Sequence, residues 1–161
     1  MNELDPTKLC FMYAFPATSP EDLGKERYLE LEEMFNLGNY PSKEELQQLV
    51  PHACNRVEEW TVEGVRRYWW WGHQKLIASG REEYEHAPLQ FKKQCSVRPG
   101  IIQAVSQEGV YEFQMRGEKT PEKVLIPRYL SNLIVGSHAT VHLRRAVELI
   151  TLEDYKKIKQ I

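Results

Sequence analysis

Val97-Arg98-Pro99-Gly100-Ile101-Ile102-Gln103-Ala104-Val105, then Gln107-Glu108-Gly109, then Val110-Tyr111-Glu112-Phe113-Gln114-Met115, is the stretch that decides how this chain folds. Its first segment is an apolar, β-branched run, and its last alternates apolar and polar residues as a half-exposed strand does. Between them Gly109 stands where a tight turn needs a positive φ. Downstream, Gly117 to Pro121 reads as a loop and Val124-Leu125-Ile126 as a short strand stopped by Pro127. Ala139 to Leu143 and Ala146 to Ile150 follow as further strands. Four or five short strands in roughly 60 residues predict a small closed or nearly closed barrel, because closure removes edges that so small a sheet could not protect. Leu152, Tyr155 and Ile158, interleaved with three lysines, predict a short terminal helix.

Upstream the period changes to that of helices. Ser19-Pro20-Glu21-Asp22 offers a cap, a proline at the first helical position and acids in the first turn. Leu23, Tyr28, Leu29, Leu31, Met34 and Phe35 supply an apolar face, and Gly38 and Pro41 end it. Ser42-Lys43-Glu44-Glu45 is a capping box. A third helix is expected from Thr61 to Ala78, stopped by Ser79-Gly80, and a short fourth from Arg81 to Tyr84 or on to Phe91. The expected class is α+β: an N-terminal helical domain over 1–94, then a small antiparallel β-barrel domain over 95–161 with a short C-terminal helix.

Charge follows the same division. Residues 1–94 carry 11 Lys and Arg against 16 Asp and Glu, and residues 95–161 carry 10 against 7. The whole chain of 161 residues has a net charge of −2, which excludes a protein held to nucleic acid by bulk charge. Mean hydropathy is −0.55, and no apolar run is long enough for a transmembrane helix. The opening MNELDPTKLC lacks a basic segment followed by an apolar stretch, so no secretory signal is expected. Cys10, Cys54 and Cys95 are odd in number and widely spaced, which points to a reducing cytoplasm rather than a disulfide framework. A content of 42% hydrophobic and 11% aromatic residues excludes disorder.

Cys95, at the mouth of the first strand, is the foremost chemical candidate, with Arg98 placed to favour a thiolate able to bind a soft metal. His142 is the second. His138 and His142 fall on one face of a strand by its period of two, but about 13 Å apart, too far to share one ion. His52-Ala53-Cys54 offers two donors where a closed site needs more. Trp69-Trp70-Trp71 cannot share one helix face, since neighbours lie about 100° apart. At least two of Trp60, Trp69, Trp70 and Trp71 are expected to be buried, one of them against the barrel, and at least one of Trp69-Trp70-Trp71 to be exposed or to face the barrel.

Two segments together carry a resemblance. Cys95-x3-Pro99-Gly100 followed by a β-branched strand, then Val135-Gly136-x4-Val141-His142-x3-Ala146, resembles the HypC/HupF family of hydrogenase-maturation chaperones. The similarity spans about Cys95 to Tyr155 and includes Ala146 to Asp154 (AVELITLED) as the closing strand and acidic tail. In this chain Arg144-Arg145 stands where the family has Gly-Phe after the histidine. The resemblance implies a small OB-like barrel and metallocofactor assembly. A cysteine thiolate holds iron, or nickel in its place, transiently. It does so jointly with a HypD-like partner and passes the unit to a metalloenzyme client. It implies Cys95 as the metal thiolate, His142 as the strand histidine near the metal, and Pro99 and Gly100 as the residues shaping the loop behind Cys95. The resemblance does not extend to residues 1–94.

Two other classes stay open. One is an OB-like nucleic-acid- or protein-binding module without metal, for which Arg98, Arg116, Lys119, Lys123, Arg128, Arg144 and Arg145 supply charge. Tyr111, Phe113 and Tyr129 are a thin stacking platform, so nucleic acid is the less expected ligand. The other is a small cysteine-dependent enzyme with an interdomain site, using Cys95 as nucleophile and His73 or His142 as base. Phosphate-binding glycine loops, HExxH, paired CxxC and GxSxG are all missing from the sequence.

Overall fold

The computed structural model describes residues 4–80 and 84–161. The chain forms two compact units, Met1–Gly72 and His73–Ile161. The compositional change near residues 88–98 coincides with the passage from helix to the first strand, so the division expected at 94/95 falls inside the second unit. Among the described residues no helix is long and apolar enough to cross a membrane.

The first unit is helical. Helix α1 (Pro6–Ala14) is set by Asp5, whose carboxylate accepts from Thr7 N at 2.7 Å and Lys8 N at 3.3 Å, with Pro6 in the first turn. Leu9 through Phe15 are all buried, so this helix is apolar on every face and shows no amphipathic stripe. Helix α2 (Pro20–Leu23) has the expected Ser19 cap, and Gly24, at φ 84°, separates it from α3 (Lys25–Leu37). Gly38 closes α3 in the left-handed conformation. Phe35 of α3 meets Phe15 at 5.2 Å and Phe11 at 6.3 Å between ring centroids. Helix α4 (Lys43–Leu49) has the Ser42 cap, and α5 (Pro51–Arg56) follows directly.

Helix α6 (Val62–Arg67) starts at the Thr61 cap and passes into a π-helical turn, Tyr68–Gly72. Gly64 is required in α6, because a Cβ there would lie 1.9 Å from the Glu59 carbonyl oxygen. The wider turn distributes the tryptophan row. Trp69 stacks on Tyr13 at 5.7 Å, Trp70 donates its indole N–H to the Tyr13 hydroxyl at 2.8 Å, and Trp71 is 42% exposed.

The second unit opens with α7 (His73–Ser79) and α8 (Leu89–Cys95). Arg81 to Glu83, where the short fourth helix was expected to begin, lie outside the described residues. Strands β1 (Arg98–Gln107), β2 (Val110–Met115), β3 (Glu122–Leu125), β4 (His138–His142) and β5 (Arg145–Ile150) close into a barrel in the order β1-β2-β3-β5-β4. Helix α9 (Leu152–Lys157), capped by Thr151, ends the chain's regular structure.

The barrel is mixed, which corrects the antiparallel expectation. Four pairings are antiparallel, but β3 and β5 pair parallel at Leu125 and Arg145. The reason lies in the connection after β3. Pro127 ends that strand, and a long crossing segment delivers β4 to the free edge of β1 rather than back to β3. Strand β5, hairpinned to β4, then runs in the direction of β3 and closes the gap. Strand β1 bridges two neighbours by bending, with register shifts between Ile102 and Ala104 and between Val105 and Gln107. Ile102, Phe113, Met115, Val124, Leu133, Ala139, Val141 and Ala146 fill the interior.

Candidate site around Cys95

Cys95 is the last residue of α8 and is half-buried. The chain leaves the helix through Ser96, whose hydroxyl donates to Lys93 O at 2.6 Å. Val97 is then gripped by Gln74 of α7. The Val97 N–H donates to Gln74 Oε1 at 2.9 Å, and Gln74 Nε2 donates to Val97 O at 2.6 Å. Gln74 thus acts as a strand neighbour for a residue that has none there, and fixes the backbone between Cys95 and β1.

The Cys95 carbonyl receives two histidines. His142, at the end of β4 and 1% exposed, places Nε2 at 2.9 Å from that oxygen. His73, at the start of α7 and 8% exposed, places its own Nε2 at 2.9 Å from the same atom. The rings meet edge to face with centroids 5.5 Å apart. A carbonyl oxygen can only accept, and its two lone pairs allow two donors, so both rings carry their proton on Nε2 in this arrangement. The pairing of His142 with Cys95 therefore runs through the cysteine's backbone, and the nitrogen facing Cys95 is a donor.

The remaining sequence candidates fall as follows. Pro99 and Gly100 stand inside β1, opposite Thr140 and Ala139 of β4, and not in a loop behind Cys95. Both are buried, and Gly100 is needed for packing: a Cβ there would lie 2.8 Å from Met115 Sδ and 3.1 Å from a Phe113 ring carbon. Arg98, expected to favour a thiolate, gives its Nη2 to Glu122 Oε2 at 2.5 Å and to Gln94 Oε1 at 3.3 Å. Its charge is thus compensated by Glu122. His138 lies against the Tyr155 ring at 5.1 Å, away from the His73–His142 pair. His52 is exposed, whereas Cys54, two positions on, is buried. Among the described residues no group of three or more His, Cys, Asp or Glu side chains is arranged to hold a metal ion.

Gln74 was not legible as a site residue, since a buried glutamine on a helix carries no motif. His73 was legible only as a donor of unknown placement; the structure gives it the same acceptor as His142. No family model, curated protein or solved structure matches the chain.

Proposed function

We propose that the chain is a metallocofactor-assembly accessory protein of the HypC type, which holds a metal or metal-ligand fragment through the Cys95 thiolate while docked on a partner. The observation that carries the reading is the half-buried Cys95 at the entrance to β1 with the buried His142 seated on its carbonyl. The two segments that resemble the family, 47 positions apart in sequence, thereby meet at one place. The strand order β1-β2-β3-β5-β4 in a closed barrel agrees with an OB-like domain. A further support lies at Arg144. It occupies the position where the family has glycine, and it adopts a left-handed backbone with φ 65°, the conformation that glycine serves best.

The metal is cargo. Cys95 supplies one soft donor, and a HypD-like partner or the client enzyme supplies the other coordination positions. His142 acts by holding the Cys95 backbone in place, and Pro99 and Gly100 fix the strand that follows. The chain binds and hands over without catalysing a reaction, in a cytoplasmic setting that keeps the thiol reduced.

The test is iron and nickel analysis of the anaerobically purified chain, alone and after co-expression with a HypD-like partner. Metal is expected in the co-purified complex, and its loss is expected in Cys95→Ser with the circular dichroism spectrum unchanged. Equal metal content in parent and variant overturns the proposal.

A further inference from the structure

Three cations of the second unit, Lys93 of α8, Arg98 of β1 and Arg116 just beyond β2, line one cavity of about 20 Å³ together with Glu118, Gln160 and Ile161. Two of the three have a carboxylate partner. Lys93 Nζ lies 2.9 Å from Glu118 Oε1, and Arg98 Nη2 lies 2.5 Å from Glu122 Oε2. Arg116 forms no ion pair among the described residues. Its Nε donates to Gln160 Oε1 at 3.2 Å, and its two Nη atoms donate to the carbonyls of Tyr155 and Ile158. Arg98 adds an orphan, since its Nε is buried without a hydrogen-bond partner. We propose that this cavity is a halide site, in which one chloride ion accepts from Arg98 Nε and from the remaining N–H groups of Arg116.

Charge selects an anion. A cation removed from water is costly unless an opposite charge meets it, and Arg116 is the cation of this lining that no ion pair matches. Burial pulls its guanidinium below the ordinary range, the mark of a charge taken from water without full compensation. Glu118 is the acidic side chain on the lining, and Lys93 holds it. Size selects the ion. A single water needs roughly 10–15 Å³ of such space, so the cavity admits one atom of halide size and excludes sulfate and phosphate. Water both donates and accepts, whereas a halide only accepts, which is what an unpartnered buried N–H beside a second guanidinium requires.

The ion has a mechanical consequence. Arg116 is the residue that ties the end of β2 to α9: it holds the two carbonyls there and lies 5.8 Å from the centroid of the Tyr155 ring. Arg98 belongs to the entrance of β1. A chloride between the two guanidiniums therefore joins the first strand to the terminal segment. Its ligands come from positions distant in sequence, so it binds the folded chain and not the unfolded one, and it stabilises by mass action.

The experiment melts the full chain in sodium chloride, sodium bromide and sodium gluconate at matched ionic strength. The melting temperature should rise saturably with either halide, by roughly 3–6 °C once the halide is about tenfold above its dissociation constant, and gluconate should not reproduce the rise. Arg98→Lys keeps the charge beside Glu122 but removes Nε, and should abolish the difference between halide and gluconate, as should Arg116→Lys. Equal melting in chloride and gluconate overturns the proposal, and so does a halide effect that survives in full in both variants. Where a variant fails to fold, crystals of the parent grown in sodium bromide decide the matter. An anomalous bromide peak between Arg98 and Arg116 is expected; a cavity filled by water or by the Ile161 carboxylate overturns the site.

Discussion

The Nε2 nitrogen of His142 lies 2.9 Å from the carbonyl oxygen of Cys95. This single contact joins the end of β4 to the end of α8 and makes a buried imidazole part of the backbone scaffold around the cysteine. Replacing it tests whether the histidine holds the site. His142→Ala removes one hydrogen bond and opens a cavity in a fully buried position, and should cost about 2–4 kcal/mol in urea unfolding. His142→Gln carries an amide nitrogen to nearly the place of Nε2 and should cost less than half as much. Equal stability of His142→Ala and the parent would remove the structural role assigned to this ring.

The hairpin that delivers His142 is strained. Leu143 and Arg144, which join β4 to β5, have φ of 49° and 65°. Two consecutive left-handed residues are what a two-residue hairpin of the favoured twist demands, and Asn-Gly suits it far better than Leu-Arg. Arg144 is exposed, so its side chain can be removed without loss of packing. Arg144→Gly should therefore stabilise the protein by about 0.5–1 kcal/mol, the left-handed penalty of roughly 1–2 kcal/mol being partly offset by the entropy of glycine. The check is a higher urea midpoint with an unchanged slope. A lower midpoint would mean that the Arg144 side chain contributes more than its backbone strain costs.

Local signals were legible where the physics is local. The caps at Ser19 and Ser42 and the helix start at Thr61 appear in the structure, and the short β-branched segments after residue 97 are strands. Helix α1 escaped because Leu9 to Phe15 is buried on all sides and has no period to read, although Asp5-Pro6 is a legible start. The parallel β3–β5 closure rests on one residue pair brought together by the whole barrel, and no local pattern encodes it. At the site, Cys95 and His142 were legible as residues. What joins them, a backbone carbonyl shared with His73, depends on the placement of α7 and has no trace in the spacing.

Gln74 offers the sharpest test of how the site is built. It is 1% exposed, and it serves three backbone groups at once: the N–H and carbonyl of Val97, and the carbonyl of Lys159 at 2.8 Å. One side chain thus pins the entrance of β1 and the terminal segment after α9. Gln74→Leu keeps the volume but leaves a buried donor and two buried acceptors without it. At about 1–3 kcal/mol for each unsatisfied group, the loss should reach about 3–5 kcal/mol once relaxation is allowed. Gln74→Glu separates the polar requirement from the volume. Its ionised form keeps an acceptor for Val97 but sets negative charge against two carbonyl oxygens, whereas its protonated form can still donate to one of them. The folded-state pKa of the introduced carboxyl should be raised, so the penalty is small below the unfolded value of about 4.3 and grows as pH rises through the folded value. Urea titrations of parent, Gln74→Leu and Gln74→Glu at acidic and neutral pH measure both effects. Amide exchange at Val97 reports the local one, and should quicken in both variants. A Gln74→Leu protein that unfolds at the parent's urea concentration, with Val97 still protected, would show that the strand entrance is held by something other than this side chain.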